Sequence, residues 1–512
     1  MSKRIVINAG VDETRVAVQE SNLLTDLYIE RHQHRSIVGN VYRGVVTNVL
    51  PGMQAAFVDI GLPKDAFLYA GDYTANTGGD FGRALLAEDD EPADDAEGEH
   101  DLDAEEEPRR EPTVPIEDLV RKGQEVLVQV SKESLGTKGA RITSFISLPG
   151  RYLVYMPQAN HIGVSRRIRD ERERDRLRAT VRGLNPPPGG YIVRTNAEGK
   201  TETEFAADVE FLGRLWSQTH ARHDQASAPA LLHEEGDLTF RVVRDLFSPD
   251  VDELVADTRE MYEKCLGLAR TLVPAQAERV TFYEGHTPIF ESFGIEREIE
   301  KALRRRVWLK SGGYIVIDHT EALVSIDVNS GKYVGKRDFE QTVFKINMES
   351  VNEIVRQIRL RDLGGLIIID FIDMEKVEHR EQVYKALKRA LAEDKARTNV
   401  LEISELGLVE MTRKRVRQDL RALLSASCPM CKGSGVVKAD ATVAAEIFRA
   451  VQARTRTPGE SEIVVRVHPD LAQYFEGEGR EPLDRLARML DRPVTVQSVS
   501  RTHRDEYEIV VR

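Results

Sequence analysis

The stretch from Glu321 to Met374 constrains this chain more than any other. Two short apolar runs, ALVSIDVN and GLIIIDFID, each end in carboxylates, and a long charged segment of helical period joins them. Alternation by two places Leu323, Ser325, Asp327 and Asn329 on one face of a strand, with Val324, Ile326 and Val328 on the other. In the second run Leu366, Ile368 and Asp370 share a face, opposite Ile367, Ile369 and Phe371. Acids that end buried strands can converge at one sheet edge. Two carboxylates and an amide oxygen at such a point suit Mg²⁺, a hard ion that takes oxygen ligands and keeps waters. The competing reading is that strand-end acids stay solvated or cap the next helix. Asp373 is the second-choice ligand, because parity sets it opposite Asp370 if the strand runs regularly to Met374. The joining helix, Asp338 to Asp362, offers Phe339, Val343, Ile346, Ile354 and Ile358 as a packing stripe. Arg356, Arg359 and Arg361 crowd its C-terminal end, where they offset the helix dipole or line a phosphate track.

A chain of 512 residues divides into several domains, and its apolar content is ample for packed cores. Three cysteines argue against a disulfide framework and for a reducing compartment. The opening MSKRIVINAG lacks a signal-peptide core, and no apolar run reaches membrane-spanning length, so a cytoplasmic protein is expected. The net charge of −13 is unusual for a nucleic-acid binder, but its location changes its meaning. Residues 88–107 carry thirteen acids and no Lys or Arg; without them 72 acids face 72 bases. This block lies in a polar segment, 78–115, that reads as a disordered insertion. It is a solvated loop or a competitor of an anionic substrate for basic surface.

Residues 3–31 alternate as a three-strand meander. From Ser36 onward short glycine-punctuated strands (VYRGVVTNVL, AAFVDIG, DAFLYAG, QEVLVQV, ARITSF) fit a five-strand OB-type barrel interrupted by the acidic segment. Phe57 and Phe67 lie in two of its strands, with Lys132 and Lys138 near a hairpin. Such residues stack on unpaired bases and follow phosphates, although any one Phe fits a core equally well. Further on, Arg166, Arg194 and Thr195 have the chemistry of a monophosphate pocket, a guanidinium fork beside a hydroxyl.

CPMCKGSG is the other local signal. Cys428 and Cys431, followed by glycines, make half of a structural Zn²⁺ knuckle rather than a redox pair opening a helix. The remaining cysteine, Cys265, reads as core. The missing two thiolates then come from a second copy, which implies a homodimer.

Several of these stretches resemble one family in the same order. VYRGVVTNVLPGMQAAFVDIGLPKDAFLYAGD is similar to an S1-type RNA-binding domain of the bacterial ribonuclease E/G endonucleases, and SFISLPGRYLVYMP, GGYIVRTNAEG, SIDVNSGK, RLRDLGGLIIIDFIDM and CPMCKGSG resemble that family from about residue 3 to 440. The acidic insertion departs from the family barrel.

The resemblance implies an α+β multidomain protein. Its parts are an RNase H-like subdomain in two pieces (1–35 and 239–302), an S1-type barrel (36–144) and a 5′-phosphate sensor (145–238). A DNase I-like catalytic subdomain (303–424), a zinc link (425–438) and a small α+β oligomerisation domain (439–512) complete it. The resemblance also implies that Asp327 and Asp370 bind catalytic Mg²⁺ while Asn329 orients them, and that Gly150, Val154, Arg166, Arg194 and Thr195 sense a 5′-monophosphate. The expected activity is Mg²⁺-dependent cleavage of single-stranded RNA, in mRNA decay and rRNA or tRNA processing, leaving a 5′-phosphate and a 3′-hydroxyl. The expected assembly is a homodimer or tetramer joined through zinc. The alternative is a non-catalytic RNA-binding assembly protein built on the barrel.

Overall fold

The period-2 alternation of the first thirty residues becomes an antiparallel meander, Lys3–Ala9, Glu13–Glu20 and Leu23–Arg31. The structure is a computed structural model that describes residues 2–33, 35–73, 114–133, 139–165, 167–331, 339–404, 407–415, 417–454, 462–500 and 503–511. Lys138, Arg166 and most of the acidic segment lie outside the described residues. The chain divides into two units, Met1–Asp419 and Leu420–Arg512.

In the first unit the meander is extended in parallel by Glu253–Ala256 and Val280–Phe282, so two segments far apart in sequence share one five-stranded sheet. The helices Leu238–Asp245 and Arg259–Leu272 bury its apolar residues, among them Ile5, Val16 and Leu254, with Phe247 packed beside them. Cys265 lies fully buried there, and burial pushes its thiol up to about 12.

The next strands close on themselves. Val41–Leu50, Ala55–Asp59, Ala66–Tyr69, Arg141–Thr143 and Glu125–Lys132 pair in that order, and the last pairs back to the first. Only Ala66–Tyr69 and Arg141–Thr143 run parallel. This is the five-strand order of an OB-type barrel. Val46, Val58, Leu68, Val128 and Ile142 fill it.

A four-stranded sheet follows, ordered Ile162–Val164, Gly190–Val193, Leu153–Met156, Leu148–Pro149. The helices Glu171–Gly183 and Glu202–Gln225 bury Leu177, Val181, Phe205 and Leu212 against it. Asp170 caps the first helix by accepting from the Arg172 amide (2.9 Å), and Thr201 with Glu204 forms a capping box on the second.

The fourth sheet has six strands, in the order Arg306–Trp308, Tyr314–His319, Leu323–Asn329, Gly365–Asp370, Leu408–Arg413, Thr398–Val400. One face packs Val307, Ile315, Ile326, Val328, Ile367 and Ile369 against the helices Phe339–Arg361 and Val377–Leu391. The expected stripe holds at Val343, Ile346, Ile354 and Ile358, each at most 1 % exposed, but not at Phe339, which is 78 % exposed. Phe339 is the first residue of the helix, and the packed stripe begins one turn later. The three arginines are structural rather than a phosphate track. Arg356 binds Glu298 (3.0 Å) and the Leu24 carbonyl (3.0 Å), Arg359 binds Asp26 (2.7 Å) and Glu20 (3.1 Å), and Arg361 donates to Gln357 (2.6 Å). Arg356 and Arg359 tie this helix to the meander, while Arg361 bonds within its own helix.

The second unit contains helix Asp440–Arg454, strand Ile463–Val467, helices Pro469–Glu476 and Arg480–Leu490, and strands Val494–Ser498 and Tyr507–Val511, the mixed α+β composition expected of residues 439–512. The three strands form one sheet with Ile463–Val467 at its centre.

Candidate active site and 5′-end pocket

Parallel pairing of Leu323–Asn329 with Gly365–Asp370 sets Asp327 directly beside Asp370. Both are exposed, on the sheet face opposite the helices. Asn329, one pleat on, donates from Nδ2 to Asp327 Oδ2 at 2.7 Å and so holds that carboxylate. Partial burial, then the negative charges of Asp327 and Asp373, push the Asp370 carboxyl above the usual range. Crowded carboxylates of this kind are what a divalent cation relieves, and all the donors are oxygens, so the residues present fit Mg²⁺.

Asp373 differs from its sequence reading. The strand ends at Asp370, so parity no longer applies beyond it, and the charge of Asp373 reaches Asp370 from the following turn. That turn is clamped from the joining helix. Asn347, fully buried, donates to the Ile372 carbonyl (2.8 Å) and accepts from its amide (3.2 Å). Glu340 accepts from the amides of Glu375 (3.1 Å) and Lys376 (3.2 Å) and contacts His379 Nδ1 at 2.7 Å. The His379 ring stacks on Phe344 at 4.3 Å. Sequence reasoning missed Asn347 and Glu340; the available signal was an amide adjoining Ile346 on the helix's apolar stripe.

On the barrel, Phe57 faces Phe67 in register, with ring centroids 4.6 Å apart. Phe67 registers with Arg141, and Arg141 with Lys132, which makes one transverse row of two rings and two cations. Both rings are half-buried and stand outside the barrel core. Arg141, which the sequence reading passed over, pairs with Asp72 (2.9 Å) and sits over the Tyr69 ring.

The candidate 5′-end residues meet around one turn. Asp208, 5 % exposed, accepts the amides of Arg151 (3.0 Å), Tyr152 (2.8 Å) and Leu153 (2.8 Å). Gly150 must be glycine, because a Cβ there would lie 2.6 Å from both Asp208 oxygens. Arg194 Nη1 donates to the Gly150 carbonyl (2.6 Å) and to Asp245 Oδ1 (2.6 Å). Arg151 donates to the carbonyls of Val243, Arg244 and Phe247, which fixes the helix end that bears Asp245. Thr195 Oγ1 lies 3.2 Å from Ser165 Oγ, and Val154 occupies the adjoining strand. Gly150 and Arg194 are thus joined directly and Thr195 follows Arg194 in the chain, whereas Val154 packs with Phe145, Met156, Ala159 and Ile192.

In the second unit, Cys428 is exposed and Cys431 partly so. Amide hydrogen bonds from Gly435 and Gly433, with a further bond from Cys428, hold the Cys431 thiol below its ordinary range. Lys432, Gly433 and Gly435 all have positive φ (50°, 94° and 75°), and the left-handed turn aims those amides inward. A turn that favours the Cys431 thiolate and holds Cys428 beside it offers a fit donor pair for Zn²⁺.

The Ribonuclease E/G family pattern matches residues 147–416, and the pattern described as RNase E/G, Thioredoxin-like domain matches residues 427–512. The chain is 41 % identical over 511 residues to ribonuclease G of Escherichia coli K12, covering 100 % of both. It is 40 % identical to ribonuclease G of Haemophilus influenzae, over 99 % of each chain. Against ribonuclease E of Escherichia coli K12 it is 36 % identical over 94 % of this chain and 43 % of the relative. A pattern match over more than half the sequence and relatives aligned end to end agree with the paired strand-end carboxylates: the chain belongs to the ribonuclease E/G family.

Proposed function

We propose that this protein cleaves single-stranded RNA with Mg²⁺ held by Asp327 and Asp370, is stimulated by a 5′-monophosphate, and acts in mRNA decay and in rRNA and tRNA maturation. Family membership makes the chain an endoribonuclease, which sets aside the non-catalytic assembly reading. The observation that carries the metal assignment is the in-register Asp327–Asp370 pair with its raised Asp370 carboxyl. Bound there, Mg²⁺ supplies activation of water and neutralises charge growing on the scissile phosphate. Asn329 holds Asp327 in one orientation, and Asn347 with Glu340 keeps the turn after Asp370 in place. Phe57, Phe67, Arg141 and Lys132 give the barrel a row suited to bases and phosphates. Arg194, Gly150 and Thr195 form the 5′-end pocket. Cys428 and Cys431 supply half of a tetrahedral Zn²⁺ site shared by two chains, with a tetramer as the larger assembly. Cleavage at a phosphodiester leaves a 5′-phosphate and a 3′-hydroxyl.

The test is a cleavage assay on 5′-monophosphorylated single-stranded RNA with and without Mg²⁺. Asp327→Asn and Asp370→Asn are expected to abolish cutting and keep RNA binding. Wild-type rates in both variants would show the site assignment to be wrong.

A further inference from the structure

The sheet face that bears Asp327 and Asp370 continues outward to an aromatic wall. Residues directly opposite in a ladder share a face. Register sets Arg306 beside Val316, Val316 beside Asp327, and Asp327 beside Asp370. One pleat along, Trp308 lies beside Tyr314 and Tyr314 beside Asn329. Burial agrees: Val307, Ile315 and Val328 are packed on the helix side, whereas Trp308 is 62 % exposed. The Trp308 and Tyr314 rings meet nearly edge to face at 5.2 Å. The Arg306 guanidinium lies 4.5 Å from the Tyr314 centroid and 5.9 Å from that of Trp308. No ion pair to Arg306 occurs among the described residues, so its charge is met only by ring faces. Two strand spacings separate Trp308 from the strand of Asp327, a distance of about 10 Å.

An exposed indole grouped with a second ring and a guanidinium, rather than standing singly, is the kind of surface that marks an interaction site. We propose that Trp308, Tyr314 and Arg306 form a nucleotide subsite beside the catalytic carboxylates, on which an unpaired base flanking the cleaved bond stacks while Arg306 meets its phosphate. This inference rests on the RNA-cleavage reading above. Three observations point to RNA rather than to a protein partner. The wall shares the face of the carboxylates, it combines ring faces with a cation that has no ion pair among the described residues, and it lies one pleat beyond the carboxylates, at the end of the sheet where the Asp370 strand stops. An indole ring reads any base, so the subsite would select unpaired over paired RNA without reading sequence.

The chain has two tryptophans, Trp216 and Trp308, so a Trp216→Phe background isolates the fluorescence of Trp308. Titrating the Asp370→Asn form of that background with 5′-monophosphorylated single-stranded RNA is expected to quench Trp308, and duplex RNA is expected to leave it unchanged. In the active enzyme, Trp308→Ala should lower kcat/KM by roughly 5- to 150-fold, the span expected for loss of one base stack. Trp308→Phe should restore most of it. Wild type should lose a similar factor on RNA with one abasic nucleotide beside the cleaved bond, and Trp308→Ala should not. Quenching without cleavage by wild type would sink the catalytic reading and keep the subsite. Cleavage with no quenching and an unchanged Trp308→Ala rate would overturn the subsite. A Trp308→Ala change in sedimentation alone, with RNA kinetics intact, would assign the wall to contacts between copies and overturn it too.

Discussion

Asn347 grips the backbone of Ile372 on both its polar groups, donating to the carbonyl at 2.8 Å and accepting from the amide at 3.2 Å. A side chain of the joining helix thus substitutes for the strand partner that the chain loses after Asp370. Asn347→Leu leaves two backbone groups unmet, each worth about 1–3 kcal/mol when buried. The variant should melt well below wild type. It should also need more Mg²⁺ and lose kcat more than KM, because Asp373 follows that clamp by one residue. Unchanged Mg²⁺ dependence would confine Asn347 to stability.

Arg194 is held between the Gly150 carbonyl and Asp245. Arg194→Ala should erase the preference for 5′-monophosphorylated over 5′-hydroxyl RNA while cleavage of the latter continues. Gly150→Ala should act through the fold instead, since its methyl group meets the Asp208 carboxylate. Overpacking of that kind costs about 1–3 kcal/mol. Chemical denaturation distinguishes the two variants.

Asp26 gives a pH test. Burial is the largest influence and opposes its charge, but the Arg359 guanidinium, the Thr25 hydrogen bond and the Lys395 charge together outweigh it and keep the carboxyl below its ordinary range. A lowered folded pKa means stability present above the unfolded value, near 4, and lost as pH falls through the folded one. Asp26→Asn should therefore cost about 2–4 kcal/mol at pH 7, a buried cation having lost a partner, and the gap to wild type should close in acid below about pH 4. A gap independent of pH would remove the ion pair from the explanation.

Thiol chemistry separates the three cysteines. Cys265 is buried, with its thiol pushed up to about 12, whereas Cys428 and Cys431 are accessible and the turn holds the Cys431 thiol below its ordinary range. After chelation, two thiols per chain should react quickly with a disulfide reagent at pH 8, and the third only after unfolding. The native protein should carry about half a zinc per chain. A full equivalent on a monomer would refute the shared site.

Local periodicity was enough to place Asp327, Asn329 and Asp370, because alternation along one strand is a property of neighbours in sequence. It failed at element ends. The strand stops at Asp370, so the condition on which parity would place Asp373 is not met, and the packed stripe begins a turn after Phe339. The roles of Arg356 and Arg359 were not legible, since their partners Glu298, Glu20 and Asp26 lie far away in sequence. The same holds for the row joining Phe57, Phe67, Arg141 and Lys132, and for the wall of Arg306, Trp308 and Tyr314. Both arise from register between strands, which one-dimensional spacing does not carry.

The barrel closes by pairing Val41–Leu50 with Glu125–Lys132, and the acidic segment joins it between fixed ends. On one side, the Asp72 carbonyl receives Thr143 and Ser144, and its carboxylate receives Arg141. On the other, the Ile116 amide donates to Gln54. Closing a longer or shorter connection between anchored ends changes the entropy only logarithmically, about 0.6 kcal/mol per doubling. Charge and architecture are thus separable in this chain: the block that carries the whole surplus of −13 can change in length at small entropic cost while the barrel keeps its register.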